Sequence, residues 1–228
     1  MPDVGRAWLA VSGAHAETGL VPVLLAEARP GAREAGMLPD FGFFWPAEVD
    51  LLDQMSAQDV LAAGWGEGAD DEDDDVLAEA RAPFGRRFPG LAPPSYSRLS
   101  PAEMGQALAS LAPAYLGVAA AGRPADLPAV VGWSVFGSDG IGLDARSLAV
   151  ATVLRSWEER FGARLLRIGS DAKLKVLVER PPRTLEAAWP IAAEHWALAD
   201  ECCGSGLRDV PAIAASLVNA PIWTFWWD

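Results

Sequence analysis

Glu194 and His195 stand side by side, and a carboxylate beside an imidazole is equipped for general acid–base work. His195 is one of two histidines in the chain. If an enzyme is built here, its catalytic candidates are His195, Glu194 and Glu158, with Asp200 further along. On a helix, however, neighbouring side chains point about 100° apart, so Glu194 and His195 cannot both face one ligand squarely. The plainer reading of His195, at the border of an apolar stripe, is a hydrogen-bonded structural histidine. Cys202 shares its helix face but lies roughly 10 Å on by helical rise, too far for a common metal ion. No metal site and no cofactor are expected.

Arg180 continues the apolar phase of Leu174, Val176 and Val178, so it points toward a covered face or its edge. A charge there needs a partner. Asp228 or Glu194 could supply one in a structural ion pair; the alternative is an anion-binding pocket. Arg155 and Glu159, four apart, are expected to pair on a helix surface. The ten tryptophans carry indole N–H groups that need partners when buried, which suits them to pocket walls and interfaces. Trp157 is the candidate wall of a cleft with Glu158 and Arg180, whereas Trp65 is the tryptophan expected to be exposed.

Beside Trp65 runs Asp70-Asp71-Glu72-Asp73-Asp74-Asp75, six carboxylates whose repulsion favours a solvated loop over residues 67–80. An acidic interaction site using Asp71 and Asp73, or a loosely held divalent ion, is the functional alternative. An EF-hand is excluded, because neither the turn glycine nor the closing glutamate is in place. Nucleophile and phosphate motifs fail as well. Gly204-Ser205-Gly206 is not the five-residue nucleophile elbow. Gly137, Gly140 and Gly142 lack dinucleotide spacing, and no Gly-Lys-Ser/Thr exists for a phosphate loop.

The elements that must position these groups are legible in part. Trp8–Val11 and Leu20–Leu25 are short, apolar and bounded by glycines, which predicts two strands. Ser56 caps a short helix ending at Gly64, and Ser100-Pro101-Ala102-Glu103 is a capping box opening a helix over 101–112. Pro83 to Pro94 is a loop. Val130–Phe136 predicts a strand. Val150, Leu154, Trp157 and Phe161 form one stripe of a helix over 147–161, stopped by Gly162. Strands follow at Arg164–Ile168 and Lys173–Arg180, the second alternating as if its sheet were covered on one side only. A helix after Thr184 contains Pro190, which predicts a kink or a late start. Another helix spans 208–219, and Trp223, Phe225 and Trp227 alternate in a closing strand. The fold class is therefore α+β. Residues 123–228 form a ferredoxin-like split β-α-β part in the order β-α-β-β-α-α-β, an antiparallel sheet with helices on one face. Residues 1–122 form a smaller α/β extension.

Leu154-Arg155-Ser156-Trp157-Glu158-Glu159-Arg160-Phe161-Gly162-Ala163, Pro181-Pro182-Arg183-Thr184, Ala193-Glu194-His195 and Trp223-Thr224-Phe225-Trp226-Trp227-Asp228 resemble family 4253 of the bacterial domains of unknown function, common in actinobacteria. The likeness covers about residues 127–228, and Gly19–Leu25 with Pro89–Pro93 resemble the family's N-terminal extension. Where relatives tend to carry an aromatic-Cys-Pro-Asp segment after the Glu-His pair, this chain has Leu198-Ala199-Asp200-Glu201-Cys202. The resemblance implies a cytoplasmic bacterial protein and brings no established activity.

Charge and composition narrow the class further. The 228 residues are 51% hydrophobic and carry a net charge of −13, which excludes disorder for most of the chain and disfavours nucleic acid as a partner. Residues 1–122 hold 7 basic against 18 acidic side chains. No apolar run suits a signal peptide or a bilayer span, and the adjacent cysteines Cys202 and Cys203 staple nothing, so a reducing cytoplasm is expected. These features favour a noncatalytic module that binds another protein, one of basic net charge, as an immunity-type or regulatory partner. Its candidate contacts are Trp157, Arg180, Trp65, Asp71, Asp73 and Asp228. The alternative is a small enzyme or ligand binder using a cleft near Trp157, Glu158, Arg180, Glu194 and His195.

Overall fold

The computed structural model describes residues 4–25, 47–66, 78–111, 115–133, 143–169, 173–199 and 209–227. Helices α1 (Val4–Gly13) and α2 (His15–Thr18) lead into β1 (Leu20–Leu25). A 3-10 turn, Val49–Gln54, precedes α3 (Ala57–Gly64), whose N-cap Ser56 accepts a hydrogen bond from the Asp59 N–H. In α4 (Pro101–Ala109) the capping box is complete: Ser100 Oγ accepts from the Glu103 N–H, and the Glu103 carboxylate accepts from the Ser100 N–H. Then come β2 (Tyr115–Ala120), α5 (Leu127–Val130), α6 (Leu143–Phe161), β3 (Ala163–Ile168) and β4 (Lys173–Val178). Gly162 ends α6 at φ +64, a conformation glycine adopts without a Cβ penalty. Thr184 caps α7 (Leu185–Leu198) and Asp209 caps α8 (Val210–Leu217), ahead of β5 (Ile222–Trp226).

One five-stranded sheet orders these strands β2-β1-β3-β4-β5. The β1/β2, β3/β4 and β4/β5 pairs are antiparallel, whereas β1 runs parallel to β3 with Leu24 opposite Arg167. On one face, α3, α6, α7 and α8 bury a large core around Trp157, Phe161, Trp196, Trp223 and Phe225. On the other, α1 and α4 cover Leu24, Leu166 and Leu177 with Trp8, Ala107 and Leu108. A register shift between Leu165 and Arg167 changes the phase of β3, so that Leu166 and Ile168, two residues apart, serve the two different cores. Helices α3 and α7 approach so closely that a Cβ on Gly64 would lie 2.0 Å from the Ala197 carbonyl oxygen.

The α+β class and most C-terminal elements agree with the sequence expectation, but several features differ. Trp8–Val11 is part of helix α1, from which Trp8 packs on the sheet and donates its indole N–H to the Pro22 carbonyl at 3.1 Å. Residues 130–133 close α5 and turn rather than forming a strand, since Pro128 starts a helical turn and Gly132 reverses the chain at φ +63; residues 134–136 lie outside the described set. The sheet is mixed, because β1 enters it between β2 and β3. It is also covered on both faces, since Leu177 lies in the polar phase of β4 and is fully buried. Helix α7 begins directly at its Thr184 cap, with Pro190 inside it, so no late start occurs.

Candidate functional site

Glu194 projects from the middle of α7 into the core, where its carboxylate is fully buried. Four donors converge on it. The Ala92 N–H and the Trp157 indole each donate at 2.6 Å, while Arg160 Nη1 and Nη2 clamp its two oxygens at 2.7 Å. The remaining reach of Arg160 is also engaged, by the Ala92 carbonyl, by Ser156 Oγ and by the Phe161 ring under its guanidinium. This bidentate pair, with every carboxylate oxygen satisfied, ties α6, α7 and the segment before α4 together.

His195 points elsewhere. Its ring lies 4.6 Å from Phe225, 4.8 Å from Trp223 and 5.2 Å from Trp157, centroid to centroid. Its Nε2 is buried and has no hydrogen-bond partner among the described residues. Burial among aromatic rings pushes its pKa down to about 3, so the imidazole is neutral at ordinary pH. It is a core histidine as expected, but one held by packing rather than by a hydrogen bond at Nε2. Trp157 is likewise a core residue, stacked on Phe225 at 5.3 Å.

Glu158 faces away from both, toward Arg123, which bridges it and Glu159. The expected Arg155–Glu159 pair does not form. Arg155 instead binds Asp126 and Asp53, and the hydrogen bond to buried Asp126 is the main reason its pKa is raised. Trp65 is fully buried rather than exposed, because it closes α3 against Phe88 with the Arg81 guanidinium over its ring. Asp71, Asp73, Asp200, Cys202, Cys203 and Asp228 lie outside the described residues. The postulated cleft of Trp157, Glu158, Arg180, Glu194 and His195 is therefore not one site. Two of its members share the buried cluster, His195 adjoins it, and Glu158 and Arg180 open on other surfaces.

Arg180 emerges just after β4, where its Nη2 donates to the Glu159 carbonyl at 2.8 Å. Of the two carboxylates considered for it, Glu194 is taken by Arg160, and Asp228 lies outside the described residues. It borders a groove of about 240 Å3 lined by Pro94, Ser95, Tyr96, Arg98, Glu159 and Arg160 as well. The opposite wall is a strap, residues 95–99, pinned along its length. The Ser95 N–H donates to the Arg160 carbonyl and the Leu99 N–H to the Glu179 carbonyl. Between them, Arg183 donates to Ser97 Oγ and to the Arg98 carbonyl. The Tyr96 side chain, 84% exposed, is thus held by a fixed backbone. Tyr96 and Arg98 escape sequence reasoning because the strap has no periodicity; the prolines before it signal only a loop.

Residues 115–228, half of the chain, match the family model described as Domain of unknown function (DUF4253). The chain belongs to that family. No curated protein and no solved structure matches it. The DUF4253 match contains Glu159, Arg160 and Arg180, whereas the strap with Tyr96 and Arg98 precedes it. The groove is thus completed by a segment outside the DUF4253 match. Among the described residues, no three His, Cys, Asp or Glu side chains are grouped to hold a metal ion, and no helix is long and apolar enough to cross a membrane.

Proposed function

We propose that this DUF4253 protein is a noncatalytic binding module that recognises another protein of basic character, in an immunity-type or regulatory role within the bacterial cytoplasm. The observation that carries the reading is the fate of the groups suited to chemistry. Glu194 is enclosed by four donors and His195 by three aromatic rings, so the acid–base pair of the sequence acts as structural reinforcement. What faces solvent is a rigid strap bearing Tyr96 and Arg98, on a chain of net charge −13 that attracts basic surfaces. The family resemblance and the reducing environment implied by the adjacent cysteines support the compartment.

The test is capture of the partner on the immobilised full chain, followed by affinity measurements with the purified pair across a salt series. Exposed charges are screened over about 8 Å at physiological ionic strength, so association is expected to weaken steeply as salt rises. An affinity indifferent to salt overturns the charge-led reading, and turnover of a small molecule by the isolated chain overturns the noncatalytic one. A second reading, a small-ligand binder, is favoured by the groove at Arg180, the one member of the postulated cleft that lines it.

A further inference from the structure

The groove between the strap and the end of β4 differs in charge from the chain as a whole. Five guanidiniums (Arg98, Arg123, Arg160, Arg164 and Arg180) meet four carboxylates (Glu158, Glu159, Glu179 and Glu194) in its walls and their ion pairs. The excess cation is Arg180, which no carboxylate among the described residues reaches and whose one hydrogen bond there goes to a backbone carbonyl. Arg98 is also loosely engaged, 70% exposed with a 3.5 Å contact to Glu179, a residue that Arg164 holds more closely at 2.6 Å. Arg160 is committed to Glu194 and serves as a fixed wall.

We propose that this groove is a carboxylate-binding site that seats one aspartate or glutamate side chain of the protein partner, with Arg98 and Arg180 as the two donors and the Tyr96 ring against the apolar stem. The inference rests on the protein-binding reading above. A surplus of one positive charge, with Glu159 on the rim, matches a monoanion better than a phosphate dianion. The groove volume of about 240 Å3 falls below that of ordinary cofactor pockets, roughly 300–1,000 Å3, and suits a single side chain. A basic partner drawn to an acidic chain meets local repulsion at this spot unless it presents a carboxylate there, so the groove fixes register as well as contributing affinity.

The test uses the full chain, labelled with nitrogen-15, and two matched probes: N-acetylglutamate N-methylamide and its glutamine counterpart. At constant ionic strength the glutamate probe is expected to give saturable shifts at the Arg98 and Arg180 side-chain N–H signals and at the strap amides. The glutamine probe should give none. Arg180→Gln should weaken the glutamate probe about tenfold, the loss of one charge-assisted donor pair. Should that variant misfold, Arg98→Gln, on the exposed strap, takes its place with the same expectation. Equal response to both probes, or titrations unchanged in the variants, overturns the proposal. Tighter binding of inorganic phosphate at the same signals overturns the choice of a carboxylate. If the probe binds while no protein partner shows salt-dependent association, the groove stands and the protein-binding reading falls; the reverse result removes the groove alone.

Discussion

Acid should unfold this protein through His195. The imidazole is buried against Trp157, Trp223 and Phe225, none of which carries a charge, and its nearest carboxylate along the helix, Glu194, is held by Arg160. Burial lowers its pKa to about 3, against about 6.5 in an unfolded chain. The unfolded state therefore takes up a proton that the native state refuses. Stability is complete above pH 6.5 and is lost as the pH falls toward 3, at about 1.4 kcal/mol per pH unit. At pH 5 the loss is about 2 kcal/mol and at pH 3 about 4 kcal/mol, against a typical domain stability of about 5–15 kcal/mol. Urea denaturation at pH 7.5, 6 and 5 on the wild type and His195→Phe isolates this contribution, because the carboxylates common to both cancel in the difference. The wild type is expected to lose about 2 kcal/mol more than the variant between pH 7.5 and 5. Parallel stability curves would refute the reasoning, since they require the native core to accept the proton.

Glu194→Gln should cost about 3–5 kcal/mol in urea denaturation by leaving Arg160 unpaired, while joint replacement by Arg160→Met and Glu194→Leu should recover most of that loss. Gly64→Ala, which drives a methyl group into the Ala197 carbonyl, should destabilise by about 1–3 kcal/mol or more. By contrast, Gly105→Ala in α4, where a Cβ meets nothing within 4 Å, should raise the melting temperature, with a gain of about 0.5–1 kcal/mol. Residues 115–228 expressed alone lack β1, so β2 loses its partner and β3 presents an open edge; size-exclusion chromatography should find oligomers or aggregate in place of a monomer.

The elements legible in the sequence were those whose signal is local. Ser56, Ser100 and Thr184 announce their helices because a cap needs only its own first turn. The Trp157 stripe, the stop at Gly162 and the alternation of Trp223, Phe225 and Trp227 likewise depend on period alone. Elements defined by distant contacts were not legible. Trp8–Val11 is too short to distinguish helix from strand by apolar content, and in Tyr115–Ala120 the strand formers Tyr115 and Val118 are diluted by Gly117, Ala119 and Ala120. The single apolar residue in the polar phase of β4, Leu177, was the available sign that a second layer covers the sheet. For the site, the stripe bordering His195 correctly suggested a core position. Nothing in spacing links Glu194 to Arg160 or Arg180 to Arg98, because those pairs are made by tertiary packing.

Placing β1 inside the sheet, between β2 and β3, has a kinetic consequence. Its partners, β2 on one side and β3 on the other, are far along the chain, and the parallel contact with β3 has no short connection to guide it. The β3–β4 hairpin and its flanking helices can assemble by local search, whereas β1 must cross a long loop-closure barrier before gaining a neighbour. Among the described strands, the first in chain order is therefore the one inserted last. Until it docks, the growing fold carries an open β3 edge, and the competition between β1 and a foreign strand for that edge sets the yield of native protein.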